Sequence, residues 1–287
     1  MGLNQSGSDC ETLYKWAVLF RMIIRFSRIL RIKIMFNEGD KFMIKKKTMM
    51  DCVYNQLAVD YNCSPDDFLK EGLIFTEAKQ NEGRRSFPWI TPRLEMVTMG
   101  NGVVINASAD IMPLVYQQLE GKTSYEALTM PFVYGVNPYF LPDLDKLTLL
   151  SRNKEFEYVI IEKDDIQKLY ELKGFNFALQ YDINTPHPEM VAVIAKYKDT
   201  VVGIASANAE CKTMWSINVD VLLPYRGNKL ATILVNTLTH EVLNRGYIPY
   251  YFTGCSNVIS QRVAVQAGYL PTWSHCYKTR LDELLKS

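Results

Sequence analysis

The chain has 287 residues, with 32 Lys or Arg against 31 Asp or Glu and 48% hydrophobic residues, enough for two domains that each bury a core without disulfide or metal staples. The near-zero net charge hides an asymmetry: residues 1–50 hold ten Lys or Arg against four Asp or Glu, so the rest is mildly acidic, which argues against a nucleic-acid-binding surface there. Six cysteines, at 10, 52, 63, 211, 255 and 276, show no close paired spacing and no cluster with the three histidines, the pattern of a reduced, cytoplasmic protein with no structural metal.

Residues 1–42 differ in character from the rest of the chain. Their apolar run is interrupted by Arg21, Arg25, Arg28 and Arg31, spaced to share one helical face. No uncharged stretch approaches the ~20 residues of a membrane span, and no small-residue cleavage site comes after it. Three readings stand for this basic amphipathic extension: a helix lying on a membrane surface through residues 16–36, a helix docked on the body, or translated sequence upstream of a native start at Met43.

Residues 43–150 read as a smaller α+β domain. A helical pattern covers 48–58, and Ser64, Pro65, Asp66 and Asp67 form a helix start. Leu94 to Met99 and Val103 to Ala107 read as strands joined by Gly100, Asn101 and Gly102, a hairpin signal. Asp110 opens a helix through Glu120, closed by Gly121. Residues 130–142 carry Pro131, Gly135, Pro138 and Pro142 among aromatic side chains and read as a loop, either packed or lying over a pocket. Ser151 to Lys154 mark a boundary.

Beyond it, 156–161 is a strand, 163–172 a helix, and 191–197 and 201–207 are strands joined by Lys198, Asp199 and Thr200. In Trp215 to Leu234, Ile217, Val219 and Val221 alternate with Ser216, Asn218 and Asp220, the pattern of a half-buried strand ending near Leu223. From Leu230 the period changes to three and four, which predicts a helix to about Arg245. A strand, a tight turn at Gly227 and a helix leave unpaired N–H groups at the helix start beside Arg226 and Lys229, a place for a phosphate. The plainer alternative is an ordinary αβ turn with solvated cations. A second strand-to-helix unit comes next: 247–253, then Gly254, Cys255, Ser256 and Asn257, then a helix over 258–267 capped by Gly268.

The segments PYRGNKLATILV and GCSNVISQRVAVQAGYLPTW resemble the acyl-CoA-binding core of the GNAT superfamily of N-acetyltransferases, and among them bacterial two-domain proteins of the zwittermicin-resistance-like group. The resemblance implies an α/β (α+β) architecture: a GNAT fold over 156–287, with a mixed, mostly antiparallel central sheet flanked by helices, beside the N-terminal domain. It implies acetyl-CoA as co-substrate, its diphosphate held by Arg226, Gly227, Asn228, Lys229, Leu230, Ala231 and Thr232. It also implies a pantetheine arm along Val219, Val221 and Asn257, with Ser260 in the same motif, where residues near the Asn contact the nucleotide end. Lys229 stands where the family usually has Gly, so it adopts either helical dihedrals or local strain of ~1–2 kcal/mol. Many relatives place an acid-donating Tyr where this chain has Ala264.

Transfer to an amine of ordinary pKa needs a proton acceptor, because holding it neutral at pH 7 costs about 4.6 kcal/mol. Asp220 is the first candidate base and Glu210 the second; the alternative for Asp220 is a carboxylate that only bonds neighbouring backbone. The implied activity is direct acetyl transfer to a primary amine of a small molecule. Against it stand a non-catalytic acyl-CoA-binding module and a protein acetyltransferase. No metal and no nucleic acid are expected.

Overall fold

Local sequence chemistry sets most element boundaries in the computed structural model, which describes residues 44–85 and 89–279. The readings made for residues 1–42 lie outside the described residues. Helix α1 (Lys46–Tyr61) ends where Asn62 turns left-handed. The Ser64–Asp67 signal forms a reciprocal capping box with Pro at its start, opening a short 3₁₀ turn, Pro65–Leu69. Strand β1 (Gly72–Glu77) is next, then the expected hairpin of β2 (Leu94–Thr98) and β3 (Gly102–Ala107). Helices α2 (Met112–Leu119) and α3 (Ser124–Leu128) lead to β4 (Val133–Pro142).

The C-terminal part runs β5 (Glu157–Glu162), α4 (Lys163–Ile166) tightening into a 3₁₀ turn at Gln167–Glu171, then β6 (Glu189–Tyr197), β7 (Thr200–Ala209) and β8 (Met214–Val221). Helix α5 (Leu230–Asn244), β9 (Ile248–Phe252), α6 (Val258–Gln266) and β10 (Tyr269–Thr279) complete it.

Among the described residues, ten strands form one mixed sheet in the order β1-β3-β2-β10-β4-β9-β8-β7-β6-β5. Only β1–β3 and β8–β9 pair in parallel. The junction expected at 150–156 falls between β4 and β5, which lie at different places in this sheet. On one face, α5 and α6 cover the cluster containing Val193, Ala205, Ile217 and Tyr251. On the other, α1 packs against Val97, Tyr139, Tyr250 and Trp273. Burial of these side chains at roughly 1.5–3 kcal/mol each is the main force holding the layers together.

One expectation is corrected: 130–142 is not a loop but contains β4, in the interior of the sheet. Proline is tolerated there because of which way it faces. The Pro138 carbonyl accepts from Thr253 N–H, so its nitrogen also faces β9, where only Tyr139 and Phe140 pair. The long ladder with β10 on the other side needs nothing from Pro138. Strands β1 and β10 have no clear signal in the sequence pattern.

Candidate active site

β8 pairs with β7 along seven positions but with β9 at only three: Met214 with Ile248, Trp215 with Pro249, and Ser216 with Tyr250. Past Ser216 the two parallel strands separate. Leu222 donates its N–H to Val202, so by alternation the backbone polar groups of Ile217, Val219 and Val221 face away from β7, into the gap. This edge, with no strand beside it, runs about 13 Å from Ile217 to Val221 at the usual strand rise.

The gap is the wall of a cavity of ≈ 820 Å³ that continues to the turn before α5 and to the first turns of α6. At the mouth, Gly227 takes φ 84° and Lys229 φ 59°, both left-handed. Lys229 is the N-cap of α5 but contributes no side-chain cap, and the first turn carries no acid. The starts of the 3₁₀ turn at Pro65 and of α3, by contrast, are closed by capping boxes. The N–H groups at the start of α5 therefore stay available, in a partial positive field reinforced by Arg226, Lys229 and Arg262 lining the cavity. Of the two outcomes open for Lys229, the structure shows the strained one. Its missing cap and left-handed turn are what aim the helix start at the cavity.

Of the site residues expected from sequence, Val219, Asp220, Val221, Arg226, Gly227, Lys229, Leu230, Ala231, Thr232, Asn257 and Ser260 line this one cavity. Asn228 does not: it is exposed and donates to the Tyr225 carbonyl. Arg226 Nε donates to Val221 O at 3.0 Å, tying the turn to the end of β8. Asn257 Oδ1 accepts the Ser260 N–H at 3.2 Å and so caps α6.

The two candidate bases separate. Asp220 lines the cavity, and its Oδ2 accepts the N–H groups of Phe177 and Ala178 at 2.7 and 2.9 Å. Glu210 lies beyond Ala209, near the paired beginning of β8 rather than its splayed end, and is not part of the cavity wall. Its carboxylate instead acts on Tyr250, whose hydroxyl is held well above its ordinary pKa, first by burial and then by the Glu210 charge. His240 is held below the ordinary histidine value by burial in α5.

Several wall residues carry no such signal in the sequence. Tyr251 and Arg262 also face the cavity, as does Phe177, 78% exposed at its rim with Ile259 at 77%. The spacing of Ile259, Arg262 and Gln266 along α6 is the signal that could have found that face. Phe177 comes from a distant loop and left none.

Residues 147–279 match a family model described as GNAT acetyltransferase. No curated protein matches the chain. Among solved structures, the chain is similar to a GCN5-related N-acetyltransferase from Kribbella flavida at 14% identity and TM-score 0.38, covering 51% of this chain and 58% of that one. It is also similar to a GCN5-related N-acetyltransferase-like protein from Streptococcus suis, at 15% identity and TM-score 0.38 over 62% and 72% of the two chains. A third is an aminoglycoside N-acetyltransferase, AAC(6')-Iy, in complex with CoA, at 18% identity and TM-score 0.32 over 43% and 93%. The chain thus spans less than two thirds of the length of the Kribbella flavida protein. The likeness to GNAT acetyltransferases thus rests on residues 147–279, just under half of the chain.

Proposed function

We propose that the protein moves the acetyl group of acetyl-CoA directly to a primary amine of a small molecule. The observation that carries this reading is the separation of β8 from β9 after Ser216 and Tyr250, which opens a strand edge leading to an uncapped, cation-flanked helix start. An extended amide-bearing arm that ends in a diphosphate matches that sequence of features: amides against the edge at Val219 and Val221, phosphates against the N–H groups at 229–232. In this reading Arg226, Gly227, Lys229, Leu230, Ala231 and Thr232 hold the diphosphate, and Asn257 and Ser260 shape the arm's far wall. Asp220 takes the amine proton, directly or through water. Phe177 and Ala178 fix the carboxylate through Oδ2, and the proton goes to Oδ1.

The test is thiol release from acetyl-CoA, measured with a panel of primary amines, together with calorimetry of CoA binding. Saturable, amine-dependent release supports the reading; tight CoA binding without release for any amine turns it into a non-catalytic acyl-CoA-binding module. One observation favours that second reading, the fully buried Ala264 at the position where many relatives carry a hydroxyl. Acetylated lysine on a co-purifying protein would move the acceptor from small molecule to protein.

A further inference from the structure

This inference rests on the acetyl-transfer reading and concerns the same cavity. When a thioester C–S bond breaks, the electron pair stays on sulfur, and a proton delivered there lowers the barrier to its departure from the tetrahedral adduct. A proton donor at the sulfur makes the step efficient. Ala264, 0% exposed, supplies none.

Among the described residues lining the cavity, Tyr225, Thr232, Tyr251, Thr253 and Ser260 carry hydroxyls. The alcohols are far weaker acids than a phenol, which leaves two candidates. Tyr225 belongs to the bend at the mouth, its ring engaged with Phe156 and Tyr197 at centroid distances of 6.4 and 5.6 Å. Tyr251 is at the opposite end, immediately after Tyr250, the last β9 residue paired with β8. That is the apex of the gap, where an arm entering from the mouth must end.

The Tyr251 side chain is 4% exposed and shares a core cluster with Ala264 and Tyr269. Its hydroxyl lies 2.8 Å from Ser260 Oγ. Ser260 and Ala264 are one turn apart on the same face of α6, so a methyl at 264 leaves room for a ring arriving from β9. We infer that Tyr251 is the general acid of the transfer, a phenol reaching the departing sulfur from β9 instead of from α6.

The amine nitrogen bonds to the carbonyl carbon and loses a proton to Asp220 or water. The C–S bond breaks with its pair on sulfur, and the Tyr251 Oη proton passes to sulfur to give the free thiol. The phenolate regains a proton from solvent through Ser260 Oγ. Burial raises the Tyr251 hydroxyl above its ordinary pKa, Ser260 opposes this and the Asp220 charge adds to it, so the phenol is protonated and able to donate at neutral pH.

Tyr251→Phe in the full chain, which keeps the ring, tests the assignment. With acetyl-CoA, kcat is expected to fall by roughly 10²–10³, while CoA affinity stays within about twofold. With the acetyl ester of seleno-coenzyme A, whose selenolate leaves without needing a proton, the deficit is expected to shrink below about tenfold. Wild-type turnover in the variant, or an equal deficit with both donors, overturns the assignment. Should the variant not fold, 3-fluorotyrosine at 251 fills the same space and lowers the phenol pKa. The alkaline limb of kcat then moves to lower pH, and an unmoved limb overturns the assignment. Absence of thiol release by the wild-type protein with every amine would sink the parent reading and this one together, whereas wild-type release with an unimpaired variant sinks this one alone.

Discussion

Lys229 is a strained residue at a useful place. A non-glycine side chain at φ 59° costs ~1–2 kcal/mol, and glycine would relieve most of it. Lys229→Gly and Lys229→Ala both remove the cation, but only Ala keeps the strain. The Gly variant is therefore expected to be more stable than the Ala variant by about 1 kcal/mol in urea unfolding, with both binding CoA more weakly than wild type. At Asp220, the Asn variant keeps a side-chain oxygen for Phe177 and Ala178 but cannot take a proton. Its kcat is expected to fall about 10²-fold near neutral pH, and an unaltered rate–pH curve would remove Asp220 as base. At the far end of the sheet, Glu95 is buried beside Arg93, with Arg84 at 3.5 Å and His275 at 3.7 Å. Burial pushes its pKa up, but His275 and Arg93 overcome this and hold it at about 2. A depressed carboxylate contributes stability that is present above its unfolded value and lost as pH falls from about 4.5 through about 2. Glu95→Gln is accordingly expected to cost on the order of 3 kcal/mol at pH 7, with the gap to wild type closing toward pH 2.

At the level of elements, close approach decides which glycines matter. A Cβ on Gly102 would sit 2.5 Å from the Lys70 carbonyl oxygen and 2.6 Å from that of Gly72, where β3 meets the start of β1. Neither backbone atom can give way cheaply, so Gly102→Ala is expected to cost at least about 1–3 kcal/mol, read as a lowered Tm. The sequence was legible wherever one period or one signal dominated. The alternation at Ile217, Val219 and Val221, the switch of period at Leu230, and the Gly100-Asn101-Gly102 hairpin each appear where expected. It was not legible where long-range pairing overrode local chemistry. β4 carries two prolines and a left-handed Gly135, which read locally as a loop, and becomes a strand because β10 lies against it over its whole length. β10 was hidden for the same reason: Pro271 breaks its pattern, and a register shift between Pro271 and Trp273 restores the facing. The mouth of the cavity was legible because it is built from consecutive residues. Tyr251 was hidden because strand alternation does not say which wall residue stops at the apex, and Phe177 because it arrives from another part of the chain.

For residues 44–279 together, the pairing of β10 is decisive. It runs between β2, through Ser274–Cys276, and β4, along most of its length. The strands that precede the junction at 150–156 and those beyond it are thus hydrogen-bonded in one sheet through β10 and through the short β4–β9 contact. Unfolding in urea is expected to be one transition, coincident by tryptophan fluorescence and far-UV circular dichroism; two separate transitions would show that the strands on either side of β10 hold independently.

The place of β10 also bears on how the protein is made. Residues leave the ribosome in order at about 5–20 per second, and the hairpin of β2 and β3 emerges some 160 residues before its neighbour at 274–276. Until then the edge of β2 that β10 covers is a bare row of amides and carbonyls, and so is the edge of β4 that β10 covers. A nascent chain stalled before Tyr269 should therefore be protease-sensitive at β2 and β4 and be held by chaperones, and release of eleven more residues should lock both at once.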